Sequence, residues 1–364
     1  MFAIKLCVAS ITVMRVASIT VMGFLIALAS QASAHSGRQE QSTSQGESSS
    51  RPKQAAADQS ASEEEQAKSL AKAVQNPVAS LISVPLQNNS NFDIGPNNRT
   101  QNVLNIQPVI PVRISKNWNL ITRIVTPIIY EPSIASLLFQ SNTPLNHLGT
   151  LGLGDINPTF FLSPAKPKKL IWGVGPTFLL PTATDNVLGQ GKWSIGPSVV
   201  ALVQPGHWTF GTLINNVWSF AGSGRTPPFP SQLLPCGYCG LPVGASSTRD
   251  VNQMLLQYFI NYNMKKGWYL AWQPIITANW EARSGDVWTL PFGGGLGRIM
   301  KFGNQPVNLQ AQFFGNAKYP RFGSPWSMRL QLAFLFPKLT KAEEQKILEK
   351  KLKQLEQEQQ SPKK

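Results

Sequence analysis

The sequence predicts an all-β protein: a twelve-stranded antiparallel transmembrane β-barrel with short periplasmic helical extensions. Three observations carry this prediction, namely strands with one apolar face, short and long connections in alternation, and aromatic residues at both strand ends. Residues 207–220, HWTFGTLINNVWSF, show the first and third together, because Trp208 and Trp218 lie ten residues apart on the apolar face. Ten residues of a tilted strand rise roughly 25 Å, the height of the apolar band of an outer-membrane barrel.

Twelve segments have this strand-like character, near 78–91, 101–115, 118–131, 151–162, 169–181, 193–205, 207–221, 249–263, 267–281, 287–300, 305–319 and 325–337. Even-numbered segments end in short turns and odd-numbered ones in longer connections, of which 132–150 and 222–248 are the longest. This asymmetry is typical of outer-membrane barrels with both termini on the periplasmic side. An even strand number permits closure, which leaves no unpaired sheet edge in lipid.

Aromatic residues on the apolar faces predict two interfacial belts in contact with outer-membrane lipid. The candidates are Trp208, Trp218, Trp268, Trp280, Trp326 and Phe336. A soluble β-sandwich would also bury one apolar face, but it does not explain tryptophans at both ends of many strands. We therefore expect a protein of the Gram-negative outer membrane, inserted by the outer-membrane assembly machinery.

The opposite faces of the strands are rich in amides and carry a few charges. The lumen-lining candidates are Arg113, Arg123, Glu131, Asp155, Asn157, Gln257, Asn279, Glu281, Gln310, Gln312 and Arg329. Such a lumen suits a narrow polar conduit that selects by hydrogen bonding, with a bias towards anions from the arginines. The alternative is a self-satisfied network that closes the interior, as in smaller barrels.

Prolines interrupt several predicted strands, and each one removes a donor from the hydrogen-bond ladder. They are Pro108, Pro127, Pro158, Pro176, Pro197 and Pro274. Bulges or breaks are therefore expected in the closed sheet. Inward glycines at 173, 175, 196, 293 and 295 either leave room for a ligand or relieve crowding in a small barrel.

The ends of the chain differ in composition from the barrel. Residues 1–34 have the charged start, apolar run and Ala32-Ser33-Ala34 site of a secretory signal. Residues 35–77 indicate a periplasmic linker with a short helix that ends before Pro77, and 78–337 form the barrel. The tail at 338–364 has leucines at helical spacing among Lys and Glu, which indicates either a charged helix or a solvated tail.

The formal charge of +15 does not indicate a nucleic-acid partner, because the basic residues form no stripe with interleaved aromatics. We expect no cofactor and no metal. Cys236 and Cys239 lie in the longest loop, where a disulfide is favoured over a redox motif or a metal site.

Catalysis is not expected. His147 lies in a long loop and His207 at a short turn, so they belong to opposite ends of the barrel. A barrel phospholipase needs a His and a Ser two residues apart, whereas His147 is followed at that spacing by Gly149 and His207 by Thr209. No nucleophile–base pair is visible in the sequence.

A family resemblance extends over most of residues 76–337. Its motifs are NPVASLISVPLQNNSNFDIGP, the run from LSPAKPKKLIWGVGPTFLLPTATDN to NNVWSFAG, and then DVNQMLLQYFINYNM, GWYLAWQPIITANWEA and PFGGGLGRI. These resemble a family of Gram-negative outer-membrane proteins grouped with the MetA-pathway-of-phenol-degradation proteins, whose members are often labelled transporters or, misleadingly, neuromedin U. The resemblance implies a barrel that passes small molecules, aromatic ones among them, and implies no catalytic residues. The insertion at 229–246 and the tail after Phe336 depart from it.

The sequence thus predicts a barrel that gives passive passage to small, aromatic or anionic solutes, with a periplasmic segment able to enter the lumen. The competing prediction is a closed structural or adhesion barrel that displays its loops. A barrel lipid hydrolase is a distant third.

Overall fold

In the computed structural model the chain is described over residues 69–79, 81–95, 98–132, 149–166, 168–185, 187–222, 250–303 and 305–337. A short helical segment at 69–74 precedes the sheet, and a single 3₁₀ turn lies at Lys265–Gly267. The strands are β1 (Ile82–Ile94), β2 (Arg99–Ile106), β3 (Val109–Arg113), β4 (Trp118–Glu131), β5 (Thr150–Leu153), β6 (Asn157–Pro164), β7 (Leu170–Leu179), β8 (Trp193–Val203), β9 (Trp208–Ala221), β10 (Asn252–Asn263), β11 (Trp268–Trp272), β12 (Ile275–Asn279), β13 (Trp288–Phe302), β14 (Gln305–Lys318) and β15 (Trp326–Phe336).

These segments form one closed antiparallel sheet. Neighbours in sequence pair around the barrel, β9 pairs with β10, and β15 pairs with β1 over eleven residues, so that no edge is left in the described sheet. Three barrel strands are each interrupted once, so that β2 continues as β3, β5 as β6, and β11 as β12. The two parts count as one strand because both pair with the same neighbour. The described residues therefore make the predicted twelve-stranded barrel.

Prolines and glycine-rich segments mark the interruptions. The breaks between β2 and β3 and between β11 and β12 fall at Gln107-Pro108 and Gln273-Pro274, as missing N–H donors require. Pro176 and Pro197 instead face each other across β7 and β8. The β8–β9 ladder has no pair at Pro197, because its missing N–H cannot donate to β9.

The barrel has a turn end and a loop end. The turn end carries the short connections after β3, β6, β8, β10 and β13, and the loop end carries the others. Both ends of the barrel sequence, Ile82 and Phe336, meet at the turn end and pair directly. The first predicted strand began at residue 78, whereas β1 begins at Ile82 because residues 69–79 lie inside the barrel mouth.

The outer face is apolar. In β8 exposure alternates residue by residue, with Trp193, Ile195 and Val199 outside and Ser194, Ser198 and Val200 inside. All six predicted belt residues are exposed: Trp208, Trp268 and Phe336 at the turn end, and Trp218, Trp280 and Trp326 at the loop end. Closure, the outer apolar band and its aromatic rims define a transmembrane barrel, and such barrels are proteins of the Gram-negative outer membrane.

The described residues contain no helix long and apolar enough to span a membrane. Several predictions fall outside the described residues: the signal at 1–34, the linker up to 68, the tail at 338–364, His147, Cys236 and Cys239.

Candidate solute pathway

A segment of the N-terminal extension occupies the turn end of the barrel. This plug segment, residues 69–79, buries Ala71 and Val78 against the inner wall. Ala71 packs with Tyr269, Ala271 and Leu335, and the partly buried Leu70, Ala73, Val74 and Ala79 pack on the same cluster. The helical spacing of these small apolar residues lets one side of the segment lie flat on the wall.

Hydrogen bonds hold the plug segment in place. The side-chain amide of Gln75 donates to Asn263 Oδ1 (2.8 Å), and its carbonyl accepts from Thr209 Oγ1 (2.8 Å) and Asn263 Nδ2 (3.2 Å). Gln204 Nε2 donates to the Lys72 carbonyl (2.8 Å). Gln75 is 6% exposed, so both ends of its amide are satisfied away from water.

An apolar collar closes around Val78 inside the barrel. Its members are Val78, Ile121, Phe161, Val200, Leu202, Leu213, Leu255 and Phe259. The seven members other than Val78 come from β4, β6, β8, β9 and β10, so the collar lines one side of the lumen. The collar is not among the features predicted from the sequence. The sequence does carry a signal for it, namely apolar residues at inward positions of strands whose outer face is apolar too.

Two cavities lie on the amide-rich side of the lumen. The turn-end cavity, about 160 Å³, is bounded by plug residues 73–77 and Ala79, and by Arg123, Gln257, Gln273 and Gln331 of the wall. The loop-end cavity, about 110 Å³, is lined by Asn89, Asn91, Asn105, Phe314, Tyr319 and Arg329, with further residues of β12–β15. Gln87 and Ile275 line both cavities, which therefore adjoin.

Arg329 is the buried cation of the loop-end cavity. It is 9% exposed, and its guanidinium lies over the Phe314 ring, 4.9 Å from the centroid. Nε donates to Asn89 Oδ1 (3.0 Å), while Nη1 donates to the Gln273 carbonyl (3.0 Å) and to Gln312 Oε1 at 3.5 Å. In the described part of the chain its hydrogen-bond and ring partners are all neutral.

The connection between β7 and β8 folds into the lumen from the loop end. Asp155, in the break between β5 and β6, accepts from the backbone N–H of Ala183 (3.1 Å) and of Gln190 (2.6 Å). Leu188 is 1% exposed and packs with Val103 and Ile129. This inward loop, described over residues 181–185 and 187–192, therefore fills part of the lumen at the loop end.

The remaining lumen candidates have these positions. Arg123 donates to Gln107 Oε1 (2.9 Å), Asn157 to Thr177 Oγ1 (3.1 Å), and Gln310 to Gln273 Oε1 (3.4 Å). Glu131 is buried near the loop end and accepts from Gln101, and Asn279 is buried beside the Glu281 turn. Arg113 is exposed at the turn end, where it donates to the carbonyls of Ser115 and Lys116.

One ion pair lies outside the membrane-spanning part. Lys192 Nζ donates to Asp250 Oδ1 at 3.1 Å and joins the inward loop to the segment that leads into β10. The hydrogen bond and charge of Lys192 hold the pKa of the Asp250 carboxyl below its usual range. The pair is exposed on the Asp250 side, so its effect on stability is small.

The described residues bring together no catalytic group around His207. Its Nδ1 lies 3.0 Å from the Asn263 carbonyl and its ring stands beside Tyr262, while the Thr209 hydroxyl donates to the plug segment. No cluster of three or more metal-ligating side chains occurs within the described ranges.

Comparisons with known proteins find likeness in structure alone. The sequence matches no protein-family model and no curated protein. A COG4313 outer membrane channel from Pseudomonas putida F1 is 16% identical, with 72% of this chain and 97% of that chain covered and a TM-score of 0.49. The NanC porin is 12% identical over 71% and 100% of the two chains, with a TM-score of 0.38. The Escherichia coli outer membrane phospholipase A is 12% identical over 71% and 97%, with a TM-score of 0.34.

Scores this low carry no functional argument. The resemblance to the phenol-degradation group stays a prediction.

Proposed function

We propose that the barrel gives passive passage to small solutes and that the plug segment gates it from the periplasm. The observation that carries this proposal is the pair of adjoining cavities, which extend from the plug segment to the loop end along an amide-rich wall. Amides and two arginines, Arg123 and Arg329, favour small polar or anionic solutes, and the apolar lining beside them tolerates an aromatic body.

The plug segment is suited to reversible movement. It is attached to the wall by a few side-chain hydrogen bonds and by small apolar contacts around Ala71 and Val78. Each hydrogen bond contributes about 1 kcal/mol, because bonds to water replace it when the segment leaves the wall. Its release joins the turn-end cavity to the periplasm.

The competing function is a closed structural or adhesion barrel. The collar favours it, because Val78 and the seven buried apolar side chains around it exclude water from one side of the lumen. The two functions differ in what happens when the plug segment is removed.

Single-channel conductance in planar bilayers tests the proposal on the mature chain and on a variant that lacks residues 35–79. We expect discrete steps that become larger after the deletion, because the turn-end cavity then opens to solution. In the full chain, Gln75→Ala should raise the open fraction roughly five-fold to a hundred-fold, because it removes the three hydrogen bonds by which Gln75 holds the plug segment to Asn263 and Thr209.

Gln305→Ala is the matched control, since this amide lies at the same end and, among the described residues, donates to the Pro306 and Leu335 carbonyls and not to the plug segment. Silence from the full chain and the deletion variant alike, with folding verified by heat-dependent gel mobility, would favour the closed barrel. Conductance steps of equal size in the full chain and the deletion variant would support the channel and contradict the gating role of the plug segment.

A further inference from the structure

The loop-end cavity contains one preorganised cationic side chain, Arg329, which has an additional hydrogen-bond donor available to a ligand. Nε and Nη1 of Arg329 are occupied by Asn89, Gln273 and Gln312, but Nη2 has no hydrogen-bond partner in the described part of the chain. Phe314 supports the guanidinium plane from one side. The side chain is thus fixed before any ligand arrives, which lowers the entropy cost of binding.

The cavity around Arg329 contains no compensating charge. Among its described lining residues there is no Asp or Glu. A buried guanidinium without a counter-ion is costly, so an anion that enters the cavity gains a strong, charge-assisted hydrogen bond.

The rest of the cavity fits a flat body with apolar faces. Val103, Ile275, Pro291 and Tyr319 line it beside the amides of Asn91 and Asn105. Its volume of about 110 Å³ is of the same order as the roughly 150 Å³ apolar cavity that holds benzene in other proteins. A single water molecule or a simple halide would leave most of these surfaces without a contact.

We propose that this cavity is a binding subsite for small organic carboxylates, with the carboxylate on Arg329 Nη2 and the body between Ile275, Pro291 and Tyr319. The role of the subsite in solute passage rests on the proposed function, but binding itself does not require an open channel. Selectivity comes from the charge, because the neutral amide of the same shape cannot accept the charge-assisted bond through two equivalent oxygens.

Isothermal titration calorimetry of the folded, detergent-solubilised full chain tests the subsite with benzoate and with isosteric, neutral benzamide. We expect benzoate to bind about ten-fold to a hundred-fold more tightly than benzamide. Arg329→Gln should remove this preference, and Arg113→Gln, which changes an exposed arginine at the turn end, should leave it intact.

Ser327→Asp provides a second test that keeps Arg329. Ser327 lines the same cavity and lies two residues from Arg329 on the same strand face, so a carboxylate there should occupy the guanidinium and abolish benzoate binding. Ser327→Asn is its neutral control. Heat-dependent gel mobility verifies that each variant is folded.

Equal affinity for benzoate and benzamide, or unchanged binding in Arg329→Gln or Ser327→Asp, would overturn the proposal. Competition by chloride or phosphate as strong as by a second carboxylate would overturn the carboxylate assignment in favour of a general anion site. Benzoate binding by a barrel that shows no conductance would support the subsite and contradict the proposed channel function. Conductance without benzoate binding would support the channel and contradict the subsite.

Discussion

At the scale of single residues, the lumen wall depends on glycines that make room for large neighbours. Tyr269 is 2% exposed, donates to Asn308 Oδ1 (2.7 Å) and pairs across the strands with Gly297. A Cβ at Gly297 would overlap the phenol ring, which its buried hydrogen bond holds in place. This glycine therefore relieves crowding in the wall, one of the two roles that the sequence leaves open for inward glycines.

We expect Gly297→Ala to lower the free energy of unfolding by about 1–3 kcal/mol through overpacking. Urea unfolding in lipid vesicles, followed by tryptophan fluorescence, measures the change. Gly315→Ala on the neighbouring strand is the control, because a Cβ there meets no atom within 4 Å. A loss no larger than that of the control would mean that Tyr269 can move aside without cost.

At the scale of elements, the inward loop at 181–192 is held by Asp155 through two backbone N–H groups. A carboxylate accepts both with separate oxygens, whereas an amide has a single acceptor and turns its NH₂ towards the other donor. We expect Asp155→Asn to weaken the loop's attachment by about 1–3 kcal/mol.

Hydrogen exchange of the loop amides measures this attachment, and exchange at 183 and 190 should rise most. Asp185→Asn is the matched control, since this exposed carboxylate of the same loop accepts from Val187. Protection that stays unchanged in Asp155→Asn would show that the other contacts of the loop, such as Leu188 packing and the Lys192–Asp250 pair, are sufficient to hold it.

At the scale of the whole molecule, period-two alternation and turn spacing were sufficient to predict the twelve strands and the closed sheet. The alternation is informative because successive residues of a barrel strand face membrane and lumen in turn, which require opposite polarities. The alternation of residues along a strand could not show whether the lumen is polar or filled by apolar side chains. Inward Phe161 and Leu213 belong to a collar that includes Val78, which is far from them along the chain. Likewise, the Gln75–Asn263 contact spans 188 positions, and no local pattern encodes it.

The outer band itself supports a final prediction. Ile214 lies on the outer face of β9, 40% exposed and midway between Trp208 and Trp218, so its side chain should contact the centre of the bilayer. Phe220 lies on the same face near the loop end, beyond Trp218. An arginine is costly at the midplane and nearly neutral at the interface, because near the interface it can reach water and headgroups.

We therefore expect Ile214→Arg to reduce the free energy of unfolding in lipid vesicles by about 2–4 kcal/mol, and Phe220→Arg by about 0–1 kcal/mol. Reversible urea titration of both variants beside the parent protein measures the difference. Equal losses at the two positions would contradict the depth assigned to the band, because a surface that faces water or protein throughout has no reason to distinguish its centre from its rim.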